Sequence, residues 1–151
     1  MQEVIQDFFR LKSTIESENG EFTFFALFQR IDKPSIWTHR WDFVVAAPWL
    51  VEGSSDSIGY IGDQIKAMYG AKRLSNISQI AVLDHNHPAI IRLPVELALR
   101  GVDTENLSLD EKPLYIRDLQ FSKAEIEQGF IFAMPSISYE ATDIAMFATV
   151  A

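Results

Sequence analysis

The sequence predicts a single α+β domain over residues 1–151, with an antiparallel or mixed sheet of about five strands and helices mainly on one face. Two dense apolar runs, at 21–29 and 40–50, are typical of neighbouring strands at the centre of a sheet. Apolar residues also recur at helical spacing over 2–18. A chain of 151 residues has the length of one domain and can bury enough surface to fold without a metal or a disulfide.

The first predicted element is an amphipathic helix over 2–18. Its apolar stripe follows helical spacing and consists of Val4, Ile5, Phe8, Phe9, Leu11 and Ile15. The dipeptide Asn19-Gly20 is expected to end it, because glycine adopts the left-handed conformation after a helix at little cost. Such a stripe indicates a helix that packs on the core.

Two strands are expected next, at 21–31 and 40–47. Alternation gives the first strand two apolar faces, with Phe22, Phe24, Ala26 and Phe28 on one side and Phe25 and Leu27 on the other. The second strand carries on one side Trp41, Phe43, Val45 and Ala47. Pro48 is expected to end this strand, because it has no amide hydrogen to donate. Their closeness in the chain predicts that the two strands pair as a hairpin.

The remaining elements follow from helix caps, short apolar runs and turn residues. The residues Ser54, Ser55, Asp56 and Ser57 can cap a helix that ends at Gly70. Strands are expected at 78–83 and 89–93, joined by a turn at 84–88, and a short helix at 95–100. An acidic loop over 102–113, a strand at 114–120, one helical turn from Ser122 and a last strand at 130–134 complete the domain.

The charge balance argues against two classes of partner. The chain has 13 basic and 21 acidic residues, which gives a formal net charge of −8. Proteins that bind nucleic acid or anionic membranes usually present clustered Lys and Arg, and the largest cluster here is Lys72-Arg73. We therefore expect neither nucleic acid nor a membrane as a partner.

The chain contains no cysteine, which excludes disulfides, thiolate nucleophiles and cysteine zinc sites. Its first residues carry an acid where a secretory signal carries basic residues. No apolar stretch approaches the roughly 20 residues that cross a bilayer. These features predict a cytoplasmic protein.

The histidines are the sharpest chemical feature. His85 and His87 flank Asn86 directly after Asp84, and His39 precedes the second strand. On an extended strand, two histidines two residues apart point to the same side, as a metal ligand pair would. A polar cluster before Pro88 is also good turn chemistry, and the turn is the favoured interpretation. In a functional site, His85 and His87 would be ligands or a base, assisted by Asp84 or His39.

Four apolar or aromatic residues are candidates for an interaction surface. Trp37 and Trp49 lie at the ends of the second strand, and Ile144 and Phe147 belong to an apolar tail without clear periodicity. Exposed tryptophans often anchor interfaces, although core packing explains most aromatic residues. Arg40 and Asp42 share one face of the second strand and are expected to form an exposed ion pair.

The favoured function is a non-enzymatic protein-interaction or regulatory module that binds a protein partner or a second copy of itself. This hypothesis depends on the acidic charge, the many aromatic residues, the apolar tail and the lack of known catalytic or cofactor-binding motifs. No cofactor is predicted. The alternatives are a small metal-dependent or acid–base enzyme that uses the His85/His87 turn, and a sensor domain with a small-molecule pocket over the sheet.

Overall fold

The computed structural model describes residues 2–31 and 40–137. Along the chain these residues form α1 (Gln2–Asn19), β1 (Phe24–Arg30), β2 (Trp41–Ala46), α2 (Ser55–Tyr69), α3 (Ala71–Leu74), β3 (Ile77–Val82), α4 (Pro88–Leu99), β4 (Leu114–Phe121) and β5 (Ala124–Ala133). None of the helices in these ranges combines the length and the apolar character that a bilayer crossing requires.

The five strands form one mixed sheet in the order β3-β2-β1-β5-β4. The central strand β1 pairs antiparallel with β2 and β5, and β4 pairs antiparallel with β5. Strand β3 pairs parallel with β2, because α2 and α3 carry the chain back across the sheet. The predicted α+β fold with a sheet of this size is confirmed, and so is the antiparallel pairing of the first two strands.

Two apolar layers cover the two faces of the sheet. Helices α1 and α2 pack on the first face, around a cluster that includes Phe8, Leu11, Ile15, Phe25, Phe43, Ile61 and Ile65. Helix α4 packs on the second face, around a cluster that includes Phe24, Phe28, Val44, Ile90, Leu93 and Leu97. Each fully buried Phe contributes about 2 kcal/mol of burial free energy, so the two layers dominate the stability of the domain.

The alternation predicted for the central strands is visible in these layers from Phe24 onward, whereas the predicted face of Phe22 is wrong, because Phe22 precedes β1 and packs in the first layer. Phe25 and Leu27 face the first layer, whereas Phe24, Ala26 and Phe28 face the second. Phe8 of α1 packs on Phe25 and Phe43 with ring centroids 6.3 and 5.0 Å apart, in edge-to-face geometry. The apolar stripe of α1 therefore meets the sheet as its spacing predicts.

The prediction of a strand at 89–93 is wrong, because these residues begin helix α4. His87 is the N-cap of this helix and Pro88 occupies its first turn, where a missing amide hydrogen is harmless. The buried residues Ile90, Leu93 and Leu97 recur at helical spacing. A short apolar run such as 89–93 does not by itself distinguish a strand from a helix.

The helical turn expected from Ser122 is also absent, and the segment is the hairpin between β4 and β5. Phe121 pairs with Ala124, so that Ser122 and Lys123 form the two-residue connection. Ser122 has a φ of 57°, which matches the positive φ that tight hairpin turns require. Strand β5 consequently begins at Ala124, well before the predicted start at residue 130.

At Gly129, β5 leaves no room for a side chain against its neighbour β1. A Cβ atom at this position would lie 2.5 Å from Cδ1 of Phe28 and 2.8 Å from the carbonyl oxygen of Leu27. The second contact involves backbone and has little room to relax. Gly129 therefore allows the ring of Phe28 to lie across β5.

We expect Gly129→Ala to lower the free energy of unfolding by about 1 to 3 kcal/mol, because the added methyl group overpacks the β1–β5 contact. Gly59→Ala is the matched control. A Cβ at Gly59 meets nothing within 4 Å, so this change in α2 is expected to stabilise by about 1 kcal/mol. Urea denaturation of both variants measures the two effects, and equal stabilities would contradict the packing described.

Candidate functional site

The segment from Asp84 to His87 connects β3 to α4 as a hydrogen-bonded turn. The amide of His87 donates to the carbonyl of Asp84 at 2.9 Å, and the amide of Asn86 donates to Oδ1 of Asp84 at 2.8 Å. Nδ1 of His85 lies 3.8 Å from the same carboxylate oxygen. The side chain of Asp84 therefore shapes the turn, as Asp residues commonly do.

His87 has a structural task at the start of α4. Its Nδ1 accepts a hydrogen bond from the amide of Ala89 at 3.1 Å, which satisfies one of the unpaired donors of the first helical turn. An imidazole that accepts at Nδ1 carries its proton on Nε2. The lone pair of Nδ1 is thus engaged and is not available to a metal.

The candidate catalytic and metal-binding residues converge only partly. In residues 2–31 and 40–137, no group of three His, Asp or Glu side chains is arranged to hold a metal ion. His85, His87 and Asp84 share one turn, whereas His39 lies outside the described residues. Among the described residues, His87 caps α4 and Asp84 holds the backbone of the turn.

A surface cleft of about 470 Å³ opens beside this turn, between α4 and the β4–β5 hairpin. Its lining combines the apolar residues Pro88 and Ala89 with polar ones, which are His87, Arg92, Glu96, Gln120, Ser122 and Lys123. None of these side chains is buried. Ligand pockets commonly enclose their polar groups in apolar walls, and this cleft leaves them in contact with water.

A second concavity, of about 540 Å³, lies along α1. Phe9 and Met68 form its apolar part, and polar residues of α1 together with Asp110 and Glu111 form its rim. Neither this concavity nor the cleft beside His87 is the pocket over the sheet, lined by Phe and Trp, that the sensor hypothesis expects.

The interaction candidates fall in different parts of the chain. Trp49 is half-buried against Phe22 and Tyr60, with ring centroids 5.2 and 6.2 Å away. Its indole Nε1 is buried and has no acceptor among the described residues. The other three candidates, Trp37, Ile144 and Phe147, lie outside the described residues. Trp49 therefore packs on Phe22 and Tyr60 just after β2.

The expectation of an exposed ion pair on β2 needs correction for Asp42. This residue is only 6% exposed, and its Oδ2 lies 2.7 Å from Nε of Arg30 on the neighbouring strand. A carboxylate in such a place depends on its cation, because removal of one partner leaves a buried charge uncompensated. The pair therefore belongs to the β1–β2 contact.

A second buried ionic contact fastens α1 to α3. Nη2 of Arg73 lies 2.6 Å from Oδ2 of Asp7, and Nη1 donates to Asn76 at 2.8 Å. The hydroxyl of Tyr69 donates to the carbonyl oxygen of Asp7 at 2.8 Å. Burial, and then the negative charge of Asp7, raise the pKa of Tyr69. A tyrosine with a raised pKa is a weaker acid. The contacts of Tyr69 and Arg73 with Asp7 hold α1 in place and have a structural role.

Sequence reasoning missed a polar ladder across β1, β5 and β4. The hydroxyl of Tyr115 donates to Oε1 of Gln128 at 3.0 Å, and Nε2 of Gln128 donates to Oε1 of Gln29 at 2.6 Å. Tyr115 is 46% exposed and packs on Phe130 at a centroid distance of 5.2 Å. The alternation of apolar and polar residues over 114–120 predicts a strand with one exposed face, but it does not identify the strands that lie beside it.

The two edges of the sheet differ in their chemistry. On the β4 edge, Asp118 has a φ of 52°, which interrupts the regular strand. Arg100 of the α4 cap donates to the carbonyl oxygens of Arg117 and Asp118 at 3.1 and 2.7 Å. Charged side chains and a local distortion are the usual means by which proteins protect an edge from pairing.

The β3 edge lacks charged side chains, although the register of its pairing with β2 shifts between Trp41 and Asp42, near the start of the strand. Its sequence, from Ile77 to Val82, contains no charged residue and no proline, and Ser78 and Gln79 are exposed. The amide of Leu83 donates to Val45 at 2.9 Å, so by alternation the backbone of Ile80 points away from β2. Among the described residues, no strand pairs with this outer side.

No protein-family model, curated protein or solved structure matches this chain. Functional assignment therefore depends on the chemistry of the surfaces just described.

We expect His87→Ala to lower the free energy of unfolding by about 1 kcal/mol, because α4 loses its side-chain cap. His87→Asn is the matched control, since asparagine caps helices well and is expected to retain most of the stability. Chemical denaturation of the two variants separates the capping role from a general need for the imidazole. Equal losses in both variants would contradict the capping role.

Proposed function

We propose that this chain is a non-enzymatic interaction or regulatory module that binds another protein strand along its β3 edge. The observation that carries the proposal is the difference between the two sheet edges. The β4 edge is charged and distorted at Asp118, whereas the β3 edge is uncharged and exposes Ser78 and Gln79. An edge strand without charged side chains or proline can accept an added strand where its backbone groups point outward, as they do at Ile80.

Backbone hydrogen bonding supplies the affinity in this mode of binding. The outward N–H and C=O of Ile80 are available to an incoming strand, which gains paired groups without any change in the fold. Side chains on either side of Ile80 then select the partner. Ile77 and Ile80 are half-buried beside the edge and offer it an apolar margin.

The structural roles of His87 and Asp84 favour an interaction module over an acid–base enzyme. Nδ1 of His87 is engaged by the amide of Ala89, and Asp84 holds the turn through Asn86. The cleft beside them is open, and none of its lining side chains is buried.

The proposal is tested with Gln79→Lys on the β3 edge and Gln120→Lys on the β4 edge. Both glutamines are exposed, so each change adds the same charge at little expected cost in stability. The wild type and both variants serve as bait in affinity capture from a lysate of the source cells, with quantitative mass spectrometry of the bound proteins.

We expect a bound protein that Gln79→Lys loses by about tenfold and Gln120→Lys retains, because the new charge opposes strand pairing on β3 alone. Hydrogen exchange of the recovered complex should then show protection of the Ile80 amide. Equal recovery of every bound protein by the two variants would refute the proposal, and so would no recovery by a wild type that also fails to self-associate.

A further inference from the structure

We infer that the strand bound at the β3 edge is β3 of a second copy of this chain, in antiparallel orientation about a two-fold axis near Ile80. This inference rests on the proposed function and adds the identity of the partner. It would extend the sheet of five strands to one of ten across two copies.

Electrostatics make β3 suitable for self-pairing. Two copies of a chain with a net charge of −8 repel each other over most of their surfaces. In a symmetric antiparallel pair, a charged residue near the axis faces the same residue of the other copy, and like charges in that position destabilise. The strand from Ile77 to Val82 contains no ionisable side chain, so this penalty does not arise.

Exposed residues of opposite charge flank β3 in the chain. Lys72 is exposed in α3, just before the strand begins. Glu52 and Asp84 are exposed where the strand ends, and the amide of Asp84 donates to Oε1 of Glu52 at 3.3 Å. Antiparallel pairing brings the basic end of one copy to the acidic end of the other, twice. A parallel arrangement would instead place like ends together.

The backbone permits a symmetric pair at Ile80. Its N–H and C=O point away from β2, as the hydrogen bond from Leu83 to Val45 indicates. A two-fold axis at this residue allows the N–H of each copy to donate to the C=O of the other, the close pair of an antiparallel ladder. At the next outward position, the carbonyl of Val82 accepts from Gly53 at 3.4 Å, which limits the open stretch.

The size of the edge sets the expected affinity. A strand of six residues is about 20 Å long, and an interface built mainly on one such edge is small. Interfaces below about 1,200 Å² are generally weak and reversible. Self-association therefore has to be measured over a range of protein concentrations that reaches about 500 µM, where a weak dimer is populated.

The test is sedimentation equilibrium of the purified full chain. We expect the wild type to reach the dimer mass as the concentration rises. Gln79→Lys should weaken the dimer by about tenfold, because two added cations come close across the axis. Gln120→Lys, on the β4 edge, should associate like the wild type, and thermal denaturation verifies that both variants are folded.

Charge reversal tests the antiparallel orientation. Lys72→Glu should weaken the dimer, since it places an acid beside Glu52 and Asp84 of the other copy. The double variant Lys72→Glu, Glu52→Lys exchanges both ends and should recover most of the loss. A double variant as weak as Lys72→Glu alone would overturn the orientation.

Two outcomes separate this inference from the proposed function. A wild-type chain that stays monomeric over the whole range overturns the second copy as partner; the proposed function then still stands if lysate capture recovers another protein that Gln79→Lys loses. A dimer of equal affinity in Gln79→Lys and the wild type places self-association elsewhere and overturns the inference.

Discussion

The fold depends on one constraint, which is that β1 and β2 are predominantly apolar and buried on both faces. Phe24 and Phe25 of β1 are both fully buried, and they point to opposite layers. A strand of this kind is stable only when both sides of the sheet are covered. The amphipathic α1 and α2 cover one side and α4 covers the other. The positions of the connecting helices, and therefore of the turn at Asp84, follow from that requirement.

Much of this could be predicted from local sequence, because the apolar periodicities of α1, β1 and β2 are long and consistent. The errors occur where two signals compete. Residues 89–93 combine β-branched side chains with an apolar run, whereas the helix signal lies upstream, in the cap His87 and in Pro88. The sequence around Ser122 resembles a helix cap. The pairing of β4 with β5 instead makes Ser122 a hairpin residue with a φ of 57°. Tertiary pairing of this kind is not visible in a single short window.

The surfaces were harder to predict than the core. An edge strand is defined by what does not pair with it, and strand order is a property of the whole chain. The uncharged character of Ile77–Val82 was readable in the sequence, but its meaning appears only once β3 is placed at the end of the sheet. Likewise, the spacing of His85 and His87 suggested a metal pair, and the structure shows Nδ1 of His87 engaged in a helix cap.

The distortion at Asp118 bears on how far such a sheet can grow. A protein with two open edges can add copies at both ends and polymerise into a fibre. Here the left-handed residue and the bonds from Arg100 interrupt the β4 edge. In the described part of the chain, pairing along β3 would use the open edge and leave an interrupted one at each end. Assembly by this route would be self-limiting, because the interrupted β4 edges would not pair with further copies.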